Sequence, residues 1–113
     1  MQLSFKTGKL AKQFNSDREL KRAHGDRQAG LIRECLDDLE AVECLADMWS
    51  LPQHRCHQLA ENLKGVFSLD LVHPYRLLFR PVDDPLPQLE DGGIDLTNMK
   101  SVEILGVENT HGK

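Results

Sequence analysis

The chain has 113 residues, 40% of them apolar, which suits one domain around one core. No run approaches the roughly eighteen apolar residues of a membrane span. Residues 1–6 lack the apolar segment of a signal peptide, so a cytoplasmic location is expected. The formal charge of −4 is unevenly spread: residues 1–33 carry eight Lys/Arg against three Asp/Glu, and residues 34–113 carry six against fifteen. That balance argues against free RNA or DNA as the main partner, yet it leaves a basic stretch suited to phosphates or to an acidic protein.

Leu3-Ser4-Phe5 alternates and predicts a short first strand. Thr7 and Lys9 open a helical stretch with Leu10 and Phe14 four residues apart. Ser16-Asp17-Arg18-Glu19 fits a capping box for a second helical turn that stops at Gly25. Asp26 then caps the strongest predicted helix, residues 27–47. Its Ile32, Cys35, Leu36, Leu39, Val42 and Leu45 form one apolar stripe for packing on a sheet. Leu51-Pro52 ends this region, and Trp49 is expected to anchor the corner between helix and sheet.

From Gly65 the period changes to two. Residues 66–72 and 75–82 read as a hairpin turning at His73-Pro74, and residues 102–107 read as the last strand. Residues 83–100, with two aspartate-rich patches, Pro85, Pro87 and Gly92-Gly93, are expected to form an exposed, mobile loop. The order β-α-α-β-β-β implies a single α+β domain over residues 1–113: an antiparallel sheet with the N-terminal helices on one face.

Three cysteines, Cys35, Cys44 and Cys56, are an odd count without framework spacing and read as reduced thiols packed in the interior. His54, Cys56 and His57 lie close together, but no second ligand pair follows at a suitable spacing, so no metal is expected. His24, His54 and His73 read as structural. No glycine-rich phosphate loop or serine-nucleophile setting is present, and no cofactor is expected.

Leu51-Pro52, Arg55, His57, Leu59, Lys64-Gly65, Ser68, Arg76, Phe79 and the ending Glu108-Asn109-Thr110-His111 form an ordered set. In this order the chain resembles the RelE/ParE superfamily of toxins from type II toxin–antitoxin systems, in its HigB-like host-inhibition, or killer-protein, branch. The resemblance implies a RelE-like fold and a role in plasmid maintenance. It also implies ribosome-dependent, metal-independent cleavage of messenger RNA that inhibits translation, with neutralisation by a small cognate helix-turn-helix antitoxin.

In that reaction a ribose 2′-hydroxyl attacks its own phosphate. The step needs a base, an acid for the departing 5′-oxygen and positive charge on the phosphate. By resemblance, His57 and His111 take the proton-transfer positions and Arg76 the place beside the phosphate, while Lys64 supports RNA or ribosome contact. Arg55, Arg80 and Asn109 are candidate RNA- or ribosome-contacting neighbours, and Arg76 and Arg80 share a strand face by parity. Asn109 and Thr110 stand where the branch has an aspartate and a tyrosine, and Ala60 where it often has a lysine. Asparagine cannot take up a proton as carboxylate does, and threonine cannot stack on a base. A second reading therefore stands beside the first: a non-catalytic module of the same fold, acting as a ParE-like gyrase inhibitor or only binding its antitoxin.

Overall fold

The computed structural model describes residues 1–59, 65–83 and 85–109. In chain order these form β1 (Gln2–Phe5), α1 (Gly8–Phe14), α2 (Asp17–Ala41), 3-10 turns at Leu45–Ser50 and Pro52–His54, and β2 (His57–Gln58). Then come β3 (Phe67–Asp70), β4 (Tyr75–Pro81), a 3-10 turn at Leu96–Asn98 and β5 (Ser101–Asn109). The fold is α+β.

Helix starts follow their capping chemistry. Thr7 Oγ1 accepts from Leu10 N–H at 3.0 Å, and Ser16 Oγ accepts from Glu19 N–H at 3.1 Å. The second half of the expected box is absent, because Ser16 N–H donates to the Gln13 carbonyl instead. Gly25, at φ 81° and ψ 164°, breaks α2 where the sequence predicts a stop, and the helix resumes beyond it. The long helix ends at Ala41 rather than at residue 47. There the chain turns so that Leu45 N–H bonds the Met99 carbonyl at 2.9 Å, while Asp47 accepts from the backbone of Glu43 and Cys44. Leu45 and Met48 stay fully buried through the 3-10 turn that follows, so the apolar stripe outlasts the α-helix. Trp49 is 47% exposed and meets Phe67 only edge-on at 6.3 Å; Leu45 and Met48, not Trp49, fill that corner.

The sheet has five strands in the order β1-β5-β4-β3-β2. It is mixed, not antiparallel: β1 runs parallel to β5, pairing Leu3 with Val102 and Phe5 with Ile104, while the other three ladders are antiparallel. Alternation in a sequence tells which face a residue takes but not which way its neighbour runs, so the direction of β1 was hidden. The edge strand β2 is too short to show alternation at all.

One face of the sheet meets the helices. Phe67, Leu69, Leu77, Phe79, Val102 and Ile104 close over Phe14, Leu20, Ile32, Leu36 and Leu39, with Phe67 and Phe79 stacked at 5.8 Å. The other face carries Ser68, Asp70, Arg76, Arg80 and Glu103 by the strand alternation. A register shift opposite Leu78 and Phe79 leaves Leu105 without a partner; Gly106, at φ 132°, accommodates this bulge. Residues 83–100 are exposed at the 89–92 tip, but their base is built into the domain. Gln88 bridges Ile94, Leu86 and Leu96 pack against the core, and Met99 is fully buried.

Candidate functional site

Three strands carry side chains onto the open face of the sheet. His57 on β2 lies opposite Ser68 on β3, and Asp70 on β3 lies opposite Arg76 on β4. Arg55, two residues before His57 at the end of the Pro52–His54 turn, adopts left-handed backbone at φ 48°, costing on the order of 1 kcal/mol. This turn aims its carbonyl at the next ring but one: His57 Nδ1–H donates to Arg55 O at 2.9 Å. A carbonyl can only accept, so the neutral ring carries its proton on Nδ1 and its lone pair on Nε2. That lone pair faces Arg76 Nη1 at 3.4 Å and Ser68 Oγ at 3.5 Å.

Asp70 holds the cationic side of the site. Its carboxylate lies 3.3 Å from Arg55 Nε and 3.6 Å from Arg76 Nε, so one anion positions two guanidinium groups. Both contacts are long, and a guanidinium offers five N–H donors, which leaves Arg76 able to engage a phosphate oxygen. Ser68 is fully buried and presents no open nucleophile. The geometry thus provides an imidazole lone pair beside an arginine on a polar sheet face, suited to taking a proton next to a developing negative charge.

His57, Arg76 and Arg55, predicted from sequence, come together here. Arg80 shares the face of Arg76 but sits four residues along the strand, about 13 Å away. It is held by Glu103 at 2.9 Å and stands outside the cluster. Asn109 ends the described part of β5, opposite Tyr75 and one place past the Glu108–Arg76 pair, so the last strand runs beside the arginine. Lys64, Ala60, Thr110 and His111 lie outside the described residues. Asp70 and Ser68 were not assigned roles from sequence. Strand parity on residues 67–70 placed them on the polar face, but parity alone could not say that Asp70 faces Arg76.

A second group of polar side chains lies elsewhere. His54, read from sequence as structural, is 4% exposed, and its Nε2–H donates to Asp38 Oδ2 at 2.6 Å. Its Nδ1 sits 3.6 Å from Cys35 Sγ. Glu34, one turn before Asp38 on α2, completes a set of three ligand atoms all within 4.8 Å of one another. His24 is different: its ring meets Phe14 edge-on at 6.4 Å and Gln13 at 3.2 Å, and burial lowers its pKa. That favours a neutral, packed histidine.

No helix among the described residues is long and apolar enough to cross a membrane. No protein-family model, curated protein or solved structure gives a significant match to the chain. The functional reading therefore rests on the residues and geometry above.

Proposed function

We propose that this chain is a RelE/ParE-type toxin of the HigB-like branch, a metal-independent endoribonuclease that cuts messenger RNA on the ribosome and is neutralised by a cognate helix-turn-helix antitoxin. The observation that carries the reading is the 3.4 Å approach of Arg76 Nη1 to His57 Nε2 on the sheet face away from the helices. The element order of a strand, two helices and then the remaining strands also fits the RelE-like fold that the sequence motif implies.

In this mechanism His57 Nε2 takes the proton of the ribose 2′-hydroxyl, and the resulting oxygen attacks the adjacent phosphorus. Arg76 stabilises the added charge on the phosphoryl oxygens, and the bond to the 5′-oxygen breaks to leave a 2′,3′-cyclic phosphate. The hydrogen bond from Nδ1–H to the Arg55 carbonyl keeps the ring in the tautomer with its lone pair on Nε2. His111 is the residue assigned by the motif to protonate the leaving oxygen. Docking on the ribosome suits a chain whose cations gather in residues 1–33, because the ribosome supplies the surface and the site needs to hold only the scissile step.

Expression without an antitoxin, followed by mapping of 5′ ends on translated messages, tests the proposal. In-frame cuts are expected, and His57→Ala and Arg76→Ala each lower them by about 10²-fold or more, the scale of one acid–base or charge-stabilising group. Growth arrest without cuts assigns the chain instead to the non-catalytic reading, in which Asn109 and Thr110 mark a face that only binds. Cuts at full rate in both variants move the chemistry to other residues.

A further inference from the structure

We propose that Glu34, Asp38 and His54 form a binding site for one divalent transition-metal cation, separate from the open sheet face and independent of the ribonuclease reading. The three ligand atoms are supplied by two elements: Glu34 and Asp38, four residues apart on one side of α2, and His54 from the 3-10 turn at Pro52–His54. All lie within 4.8 Å of one another. With metal–ligand bonds of about 2.1 Å, donors around a tetrahedral ion stand about 3.4 Å apart. The His54–Asp38 contact of 2.6 Å has to widen by under about an ångström. Glu34, on the exposed helix surface, closes in by rotation of its side chain.

Charge and second contacts point the same way. Residues 34–54 contain Glu34, Asp37, Asp38, Glu40, Glu43 and Asp47 and no Lys or Arg. The nearest arginines along the chain are already engaged, Arg33 with Asp17 at 2.9 Å and Arg55 with Asp70 at 3.3 Å. The Glu34 carboxylate makes no hydrogen bond or ion pair among the described residues. Side-chain charge along this segment is therefore negative; the Met1 ammonium sits at the end of α2, on the carbonyls of Leu39, Glu40 and Val42. His54 is held from its far side, since Nδ1 lies 3.6 Å from Cys35 Sγ. With metal on Nε2, the Nδ1 proton faces that sulfur, the arrangement in which a ligating imidazole uses its second nitrogen to fix its orientation. One imidazole with two carboxylates suits Mn²⁺, Fe²⁺, Co²⁺ or Zn²⁺ better than the all-oxygen preferences of Ca²⁺ or Mg²⁺. A cation there clamps α2 to the turn that leads into Arg55 and His57, so the site also braces the segment that carries the open-face histidine.

The test is titration of chelator-stripped protein with Co²⁺ alone, followed by absorption and by the proton resonances of the His54 ring. One equivalent is expected to bind, with d–d bands, no thiolate charge-transfer band, and loss or shift of the His54 signals. Glu34→Gln replaces an exposed carboxylate and leaves the fold intact; it is expected to weaken Co²⁺ binding about tenfold or more, at least the scale seen for outer-sphere partners. Asp38→Asn is expected to do the same. No saturable binding overturns the proposal. So does equal affinity in Glu34→Gln, and so does a thiolate charge-transfer band, which would place the ion on Cys35 or Cys56.

Discussion

Cys35 and Cys56 are 1% and 7% exposed, and their thiols are both pushed up to about 12. For Cys35 the first cause is burial, followed by the negative charges of Glu34, Asp38 and Asp70 and the neighbouring Cys56; for Cys56 it is burial alone. A thiol at about 9 in the unfolded chain stays protonated up to about 12 in the folded one. Below pH 9 both states hold the proton and the full stability is present. As pH rises from 9 towards 12 the unfolded chain releases protons that the folded chain retains, so stability falls by about 1.4 kcal/mol per pH unit for each thiol. Urea midpoints measured from pH 8 to 11 are expected to fall above pH 9, with a shallower fall in Cys56→Ala. An identical slope in that variant would remove Cys56 as a source. At this scale the sequence was informative where a motif supplied partners. The motif linked His57 to Arg76, which lie 3.4 Å apart, whereas nothing in the spacing linked His54 to Asp38 or Asp70 to Arg76, because those contacts are made only when α2 and the strands are assembled.

At the scale of elements, local chemistry made the breaks legible and tertiary contact moved them. Gly25 was readable as a stop, and its φ of 81° with ψ of 164° is backbone that only glycine adopts readily. Apart from its chain neighbours and the helix's own backbone, no atom lies within 4 Å of where a Cβ would stand, so substitution meets backbone strain rather than a clash with the rest of the domain. Gly25→Ala is expected to cost about 1–3 kcal/mol, measured by chemical denaturation. A change below about 0.5 kcal/mol would show that the bend relaxes, since ordinary surface substitutions fall in that range. The end of α2 could not be read, because the stripe continues to Met48 whether the backbone is α or 3-10. What stops the helix at Ala41 is the hydrogen bond to Met99, fifty-four residues beyond Leu45 in the chain. The hairpin of β3 and β4 was legible from its alternation and its His73-Pro74 turn, and both strands lie within the expected bounds. The two-residue β2, which carries His57, gave no pattern to find.

For the molecule as a whole, charge and chain order matter together. The cations of residues 1–33 lie on the two helices and, for Lys6, on the connection from β1 to them, while the candidate site lies on the opposite face of the sheet from the helices. Contact with RNA through both faces would therefore require a partner large enough to reach around the domain, as a ribosome is. The parallel pairing of β1 with β5 joins residues near 3 to residues near 102, and has a second consequence, in the timing of folding. Closing a flexible loop of that length carries an entropic cost on the order of 4 kcal/mol from its length dependence. The β3–β4 turn spans only a few residues and meets almost none of that cost. The hairpin is thus the natural nucleus, β5 joins it, and β1 docks last. Leu3→Ala on β1 is expected to leave the refolding rate nearly unchanged and to speed unfolding, as seen in the two arms of a denaturant chevron. A slowed folding arm would place β1 in the nucleus instead. The same order run backwards makes β1 the first strand to detach. Its amide hydrogens exchange with solvent through an opening that leaves the hairpin closed, so the far edge of the sheet loosens while the strands that hold Arg76 and Asp70 stay paired.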